Sequence, residues 1–482
     1  MFRNIQHTIL LSVVITMVVS CKKDFLEIIP KGKLVASTVS DYNLLLNNLE
    51  LLNVSGGDAL GQVAMGDEVA AAQPYFDGAS FRTQRLFRWD DVVYDAGQRA
   101  EEITVPMKNL YTYNKIINEI GKATAGTEDQ KLSLKAEALA GRAWTYFLLI
   151  NYYGKPYLAS TAASDPGFPI ITVADVTANT FNRASVQEVY DMIVADLQVA
   201  IAHLPARTTH RFRMAKPAAQ ALLGKVYLFM GKPDAALPLL ESAVNGLANA
   251  DIPVKLYDYN ATFATGGLFL PISIFGPTYP TAPNNQESMY GKQFINGWTF
   301  SNSELVLHPR AVALYKSSDL RLKFYTTQPY PSGQDYPSGA LRKTGPIAVQ
   351  FGMMVPDLYL LLAECRARTN DLPGAVAAVE LLRRNRMPAA DATVDATTAG
   401  EKELLVKFIL EERVREFAMA GFRWFDMRRL SVDPVYKNTV LYTHTLYDQA
   451  GNASTFTLKP ERLVMRIPQL IIDQNPGMPN NP

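Results

Sequence analysis

The chain has 482 residues and a formal charge of +1, so no excess of either sign draws it toward nucleic acid, acidic polymers or a charged membrane surface. Hydrophobic residues make up 48% and charged residues 19%, a globular balance that excludes wholesale disorder and provides for a large core. Two cysteines exclude a disulfide framework.

At the N-terminus, Arg3 precedes an uncharged apolar run from Ile9 to Val19, about half the roughly twenty residues that a spanning helix needs. A basic head, a short apolar middle and small residues at the end predict an export signal. Val18-Val19-Ser20-Cys21 looks like the lipobox of bacterial lipoproteins, in which the cysteine becomes the first residue of the mature chain. Residues 1–20 are then a lipoprotein signal peptide, and Cys21 is the lipid attachment site, carrying a diacylglycerol and an acyl chain such as palmitate. Each buried methylene of such an anchor contributes about 0.8 kcal/mol, which holds a protein on a membrane without crossing it. The alternative is an incidental cysteine at the end of a conventional signal.

Beyond the anchor the chain reads as helices separated by loops rich in Gly, Pro and Asn. Leu132, Ala136, Leu139, Ala143, Phe147 and Ile150 recur at three- and four-residue spacing, with Trp144 and Leu148 widening the stripe, so this helix is expected to be largely buried. It is expected to stop at Tyr153-Gly154-Lys155-Pro156 through a left-handed glycine, and a second helix in the same way at Met230-Gly231-Lys232-Pro233. Leu223-Gly224, Tyr227, Gly231, Ala236, Leu240 and Ala243 fall at the spacings of a tetratricopeptide (TPR) unit, in which two antiparallel helices pack through small residues. Leu362-Ala363, Asn370, Ala375, Val379 and Leu382 repeat the pattern more weakly, and segments around 113–153 and 398–430 provide further copies. Cys365 lies in one of these helices, where a free buried thiol is expected.

The helical pattern fails over Asn53–Ala96, with Tyr75, Phe76, Phe81, Phe87, Trp89 and Tyr94, and over Asp251–Pro346, where Pro271, Pro277, Pro280, Pro283, Pro329, Pro331 and Pro337 interrupt a stretch rich in Tyr, Phe, Gly and Asn. Loops this long in a compact domain are usually functional. A helix is expected over Glu304–Lys316 and a short strand over Leu463–Ile467. The chain lacks an HExxH zinc pattern, a Gly-x-Ser-x-Gly elbow, a phosphate-binding glycine loop and an Asp-rich calcium loop, so no metal or cofactor is expected. The densest charge cluster runs from Glu411 to Glu416 and on to Arg423, Asp426, Arg428 and Arg429. Glu411 and Arg415 stand four apart on a helix and are expected to pair structurally.

That cluster lies in ILEERVREFAMAGFRWFDMRRL (residues 409–430), which closely resembles the C-terminal helical signature of the SusD/RagB family at Glu412-Arg413, Glu416, Gly421, Arg423-Trp424 and Asp426. CKKDFLEIIPKG, AEALAGRAWTYFLLINYYGKPY and IPQLIIDQNPGMPNNP agree in order, although Ala420, Pro356-Asp357 and Arg466 depart from the pattern. The resemblance runs from Cys21 to Pro482. It implies a mainly α fold in which about four TPR-like hairpins form a right-handed superhelical platform, with a long irregular loop-rich ligand-binding part and few short strands. It divides the chain into 21–250, with the first hairpins, the loop-rich 251–346 on the ligand face, and 347–482, with the last hairpins.

The resemblance further implies a non-catalytic, surface-exposed lipoprotein of the cell outer membrane. It would capture glycans or oligopeptides as a hinged lid over a SusC-like TonB-dependent transporter, with its hairpins docking that partner. Aromatic rings stack on the C–H faces of sugars, so the candidate ligand-binding residues are Trp89, Tyr279, Trp298 and Phe300, with Tyr75 and Asn302 behind them. Trp144 and Trp424, in signature helices, are read as packing residues. The competing functions are a lipid-anchored glycoside hydrolase, which needs two carboxylates about 5–10 Å apart, and a TPR scaffold for another protein, whose loop aromatics would all be buried.

Overall fold

The computed structural model describes residues 36–54, 61–177, 180–295, 303–330 and 333–482. Helix α1 (Val39–Leu46) begins at Thr38, whose hydroxyl accepts from the Asp41 N–H while the Asp41 carboxylate accepts from the Thr38 N–H. After the short α2 (Phe81–Phe87), α3 (Glu101–Glu119) leads into α4 (Glu128–Tyr153), the spine of the fold. Thr127 and Gln130 close a capping box at the start of α4, and every residue from Ala136 to Tyr153 is buried. Leu132, the first residue of the predicted stripe, lies exposed in the opening turns.

The stack continues through α5 (Val186–His203), α6 (Lys216–Phe229), α7 (Pro233–Leu247), α8 (Val355–Arg368), α9 (Leu372–Arg384), α10 (Lys402–Phe417) and α11 (Arg423–Ser431). Pairs α6–α7 and α8–α9 are the two hairpins read from the repeat, and α7 packs on α8 so that one core runs through both. Cys365 on α8 is a buried free thiol, and burial pushes its pKa up. Gly224 marks the α6–α7 crossing, where an added Cβ would stand 2.8 Å from the Leu240 side chain. Gly224→Val is therefore expected to lower the thermal midpoint, at a cost of about 1–3 kcal/mol from overpacking. An unchanged midpoint would mean that the helices part freely there.

The two glycine stops differ. Gly231 takes φ +72, and the Lys232 N–H returns to the Tyr227 carbonyl at 2.9 Å, as expected of a left-handed cap. Gly154 is extended at φ −100 instead, because the Arg428 guanidinium of α11 donates to the Asn151 and Gly154 carbonyls and closes the helix end from outside.

The loop-rich part carries short strands: β1 (Val69–Ala72), β2 (Ile272–Ser273), β3 (Gly276–Pro277), β4 (Gln293–Ile295), β5 (Leu305–Leu307), β6 (Tyr325–Thr326), β7 (Arg342–Lys343), β8 (Ala348–Gln350), β9 (Thr443–Tyr447) and β10 (Ala453–Thr457). One four-stranded sheet has the order β10-β9-β1-β5, with β1 parallel to β9 and antiparallel to β5. Every residue of β1 is buried, as suits a run of small apolar side chains in a central strand.

Two expectations fail for the same reason, which is where the backbone N–H groups find partners. Over Glu304–Lys316 the chain forms β5 and then a short helix, Pro309–Val312, because Leu305–Leu307 pair with β1 and His308 caps the turn that follows. Over Leu463–Ile467 there is no strand. The Met465 N–H donates to the Tyr152 carbonyl at the end of α4, and the Ile467 N–H to the Asn480 side chain.

Among the described residues, no helix is long and apolar enough to cross a membrane. Lys292 is buried in the core, where its ammonium donates to the Leu51 carbonyl and the Tyr113 hydroxyl, and burial pushes its pKa down to about 7. Between that value and its ordinary one the unfolded chain binds the extra proton, so stability rises with pH, by at most about 1.4 kcal/mol per unit. Lys343, pushed down to about 8, acts in the same direction, whereas Glu68, raised by burial to about 8, acts oppositely only below that pH. Thermal melts from pH 8 to 9.5 are expected to show a rising midpoint, with a smaller rise for Lys292→Met. An undiminished rise in that variant would remove Lys292 from the account.

Candidate functional site

The signature helices α10 and α11 hold a buried network of arginines and carboxylates. Arg413 donates to Asp357 on α8 and to Asp426 on α11, both at 2.8 Å, and Lys225 on α6 donates to the other oxygen of Asp357. Arg429 joins Asp426 to Glu364, and Arg368 also donates to Glu364. In a second group Glu412 accepts from Arg321, Arg383 and Arg415, while Glu416 accepts from Arg386 and Arg321. Arg386 reaches on to Glu287, so this group ties the helices to the loop-rich part. The neighbouring guanidinium groups hold Glu364, Glu412 and Asp426 below the usual carboxylate range. The cluster is thus structural, as expected, although the partner of Arg415 is Glu412 rather than Glu411. Its carboxylates are engaged as acceptors, an arrangement that builds a frame and offers no free acid and base pair.

That frame carries the loops on which exposed aromatic rings stand. The hairpin β2–β3 turns at Ile274-Phe275, with Gly276 at φ +90. Phe275 is 48% exposed, and its ring lies 6.0 Å from that of half-buried Tyr330 at 35°. The Arg342 guanidinium stands 5.9 Å over the Tyr330 ring and donates to the Gln328 carbonyl. Ser303 joins this pair to the next, since its hydroxyl accepts from the Tyr330 N–H and its carbonyl from the Tyr336 hydroxyl. Tyr336 in turn packs edge-on against half-buried Tyr75 at 6.2 Å. The result is a broken row, Phe275–Tyr330 and Tyr336–Tyr75, exposed at Phe275, half-buried at Tyr330 and Tyr75 and buried at Tyr336, with the buried Arg342 guanidinium and backbone polar groups between the rings. Apolar faces beside fixed donors suit a flat ligand that carries both C–H surface and hydroxyl or amide groups.

The predicted residues fare unequally against this geometry. Tyr75 belongs to the row. Tyr279 is half-buried at the edge of an aromatic cluster, 5.1 Å from Phe269 and 5.6 Å from Phe324, and it lines a cavity of about 100 Å³. Trp89 is a core residue instead. It is 5% exposed, donates from Nε1 to the Met65 carbonyl, and stacks on the His444 ring at 3.7 Å. The His444 nitrogens lie 2.6 and 2.7 Å from the Phe87 and Gly66 carbonyls, and burial pushes that ring down to about 4. The Trp89–His444 stack therefore locks the loop after α2 onto β9. Trp298, Phe300 and Asn302 lie outside the described residues, as does Cys21. Trp144 and Trp424 are buried, in keeping with packing roles.

Phe275, Tyr330 and Arg342 were not among the predicted residues. The available signal was Ile-Phe-Gly-Pro at 274–277, a large apolar pair at a glycine turn, where a hairpin tip has no core to enter. Among the described residues, no group of three His, Cys, Asp or Glu is placed to hold a metal ion.

Residues 24–228 match a family model described as starch-binding associating with outer membrane, and residues 355–482 match the model of the SusD family. The SusD-like protein P2 of Formosa agariphila is 25% identical over 419 residues, covering 77% of this chain and 78% of that protein. A SusD superfamily structure from Bacteroides thetaiotaomicron superposes with a TM-score of 0.70 at 20% identity, over 92% of this chain and all of that one. A SusD-like carbohydrate binding protein from Bacteroides vulgatus gives 0.64 at 16% identity, over 92% of this chain and 97% of its own. These structural likenesses concern the fold, helical and TPR-containing, with the loop-rich part held on its side.

Proposed function

The chain belongs to the SusD family, and from that premise we propose that it is a non-catalytic glycan-capture lipoprotein of the outer membrane. The pair Phe275–Tyr330 carries the reading: Phe275 stands exposed and Tyr330 half-buried, braced from behind by the buried Arg342 and, through Ser303, by the buried Tyr336 against half-buried Tyr75. A sugar chain laid across Phe275 and Tyr330 would bury its C–H faces on the rings and present hydroxyls to the nearby backbone carbonyls, while Arg342 supports the Tyr330 ring from beneath. Cys21 serves as the lipid anchor in this reading. The captured glycan passes to a SusC-like TonB-dependent transporter over which the protein closes as a lid, with the TPR-like helices as the docking face. The fully buried loop aromatics expected of a pure scaffold fit Phe76, Phe87 and Phe269 but not Phe275. The test is a binding screen of the protein against polysaccharides and oligopeptides, with product analysis of the same incubations. Retention of a polysaccharide without fragments is the expected result, whereas accumulating oligosaccharides would identify a hydrolase.

A further inference from the structure

Strand β7 separates two environments. Successive residues of a strand point to opposite faces; accordingly Arg342 lies over Tyr330 on the row, while Lys343 points inward past the Tyr325 ring to the Ala418 carbonyl. On that inner side lies the cavity of about 100 Å³ walled by Tyr259, Tyr279, Phe324, Lys343 and Gln350. One water needs about 10–15 Å³, so the space holds several heavy atoms. Gly345 and Pro346 also line it, and a Cβ added to Gly345 would lie 3.4 Å from the Phe275 carbonyl, which sets the cavity beside the outer end of the row.

Three polar groups on the wall have unmet demands. The Lys343 ammonium, buried, donates to the Ala418 carbonyl, the carboxyl end of α10, and among the described residues it has no carboxylate partner. The Gln350 Oε1 atom is buried and accepts nothing. Arg415 pairs with Glu412 through Nε, but its buried Nη2 atom meets no acceptor among the described residues, whereas Glu287 and Glu416 are engaged by Arg386 and Arg321. A buried cation with no carboxylate at ion-pair distance is costly, and a ligand carboxylate would offset that cost. A sugar acid carries a hydroxyl close to its carboxylate, which supplies a donor for Gln350 as well, and its ring fits between aromatic walls.

Resting on the glycan-capture reading, the geometry points to this cavity as a subsite for a carboxylate-bearing sugar, held by Lys343 and Gln350 beside the aromatic row. Burial pushes the Lys343 pKa down to about 8, with Glu68 and Glu416 acting against that, so the ammonium form needed for the carboxylate persists at neutral pH and is lost above it.

The experiment is calorimetric titration of the protein at pH 7 with a glucuronate-terminated disaccharide and its neutral glucose counterpart, and with a dipeptide and its amide. The acidic sugar is expected to bind about tenfold tighter than the neutral one, as for a hydrogen bond to a charged group. Lys343→Met is expected to erase the difference, and so is raising the wild-type protein to pH 9.5, a readout that needs no variant to fold. Equal affinities at pH 7, or a preference that survives both changes, would overturn the proposal. So would a preference for the free dipeptide with none for the uronate. Phe275→Ala with Tyr330→Ala tests the underlying reading separately, since loss of the row should weaken acidic and neutral sugars alike.

Discussion

Phe275→Ala combined with Tyr330→Ala is expected to raise the dissociation constant for the captured glycan about a hundredfold. Phe275 is exposed and Tyr330 half-buried, and removing a ring that a sugar covers costs about 1.4 kcal/mol or more, near tenfold, as for other aromatic anchors at binding surfaces. Neither residue holds the fold together: Phe275 tops a hairpin, and the bond from the Tyr330 N–H to Ser303 is a backbone donor that alanine keeps. The thermal midpoint should therefore stay close to that of the parent while calorimetric affinity falls. Unchanged affinity in a folded double variant would move the ligand site off this row.

Arg413→Leu is expected to be the most damaging single change in the helical frame. It strips two fully buried carboxylates, Asp357 and Asp426, of a shared cation, and breaking a buried pair in this way costs about 3–5 kcal/mol. Lys225 remains on Asp357 and Arg429 on Asp426, so the loss falls on the contact between α10 and its neighbours α8 and α11. Chemical denaturation should show a lowered midpoint. Replacing Arg413, Asp357 and Asp426 together by apolar residues of similar volume should recover much of the loss, because the stranded charges go with the arginine. A single variant as stable as the parent would show that water reaches the site and solvates the carboxylates.

The two predictions differ in how far they were legible beforehand. The α10–α11 segment announced itself by residue type and spacing, and its structural role followed from helical geometry. Which arginine meets which carboxylate did not, because Glu412 is reached from α9 through Arg383 and from the loop-rich part through Arg321, a residue about ninety positions away. The aromatic row was legible as a region and not as residues. Asn53–Ala96 and Asp251–Pro346 both contribute to the row, through Tyr75 and through Phe275, Tyr330 and Tyr336, yet Trp89 in the same loops is a core residue. Nothing in the local sequence of Trp89 reveals His444, the ring against which it stacks.

What the sequence determined by itself is the part governed by short-range periodicity: the buried spine of α4, the hairpins α6–α7 and α8–α9, the left-handed stop at Gly231 and the family signature across α10 and α11. These depend on residues three or four apart, which a helix brings together whatever surrounds it. Only the tertiary structure decided that Val69–Ala72 is the central strand of a sheet, that Gly154 needs no left-handed turn once Arg428 arrives, and that Lys343 faces a cavity while Arg342 packs under the Tyr330 ring. Each depends on a partner far along the chain, and a loop aromatic is placed at the surface or in the core by whether such a partner meets it.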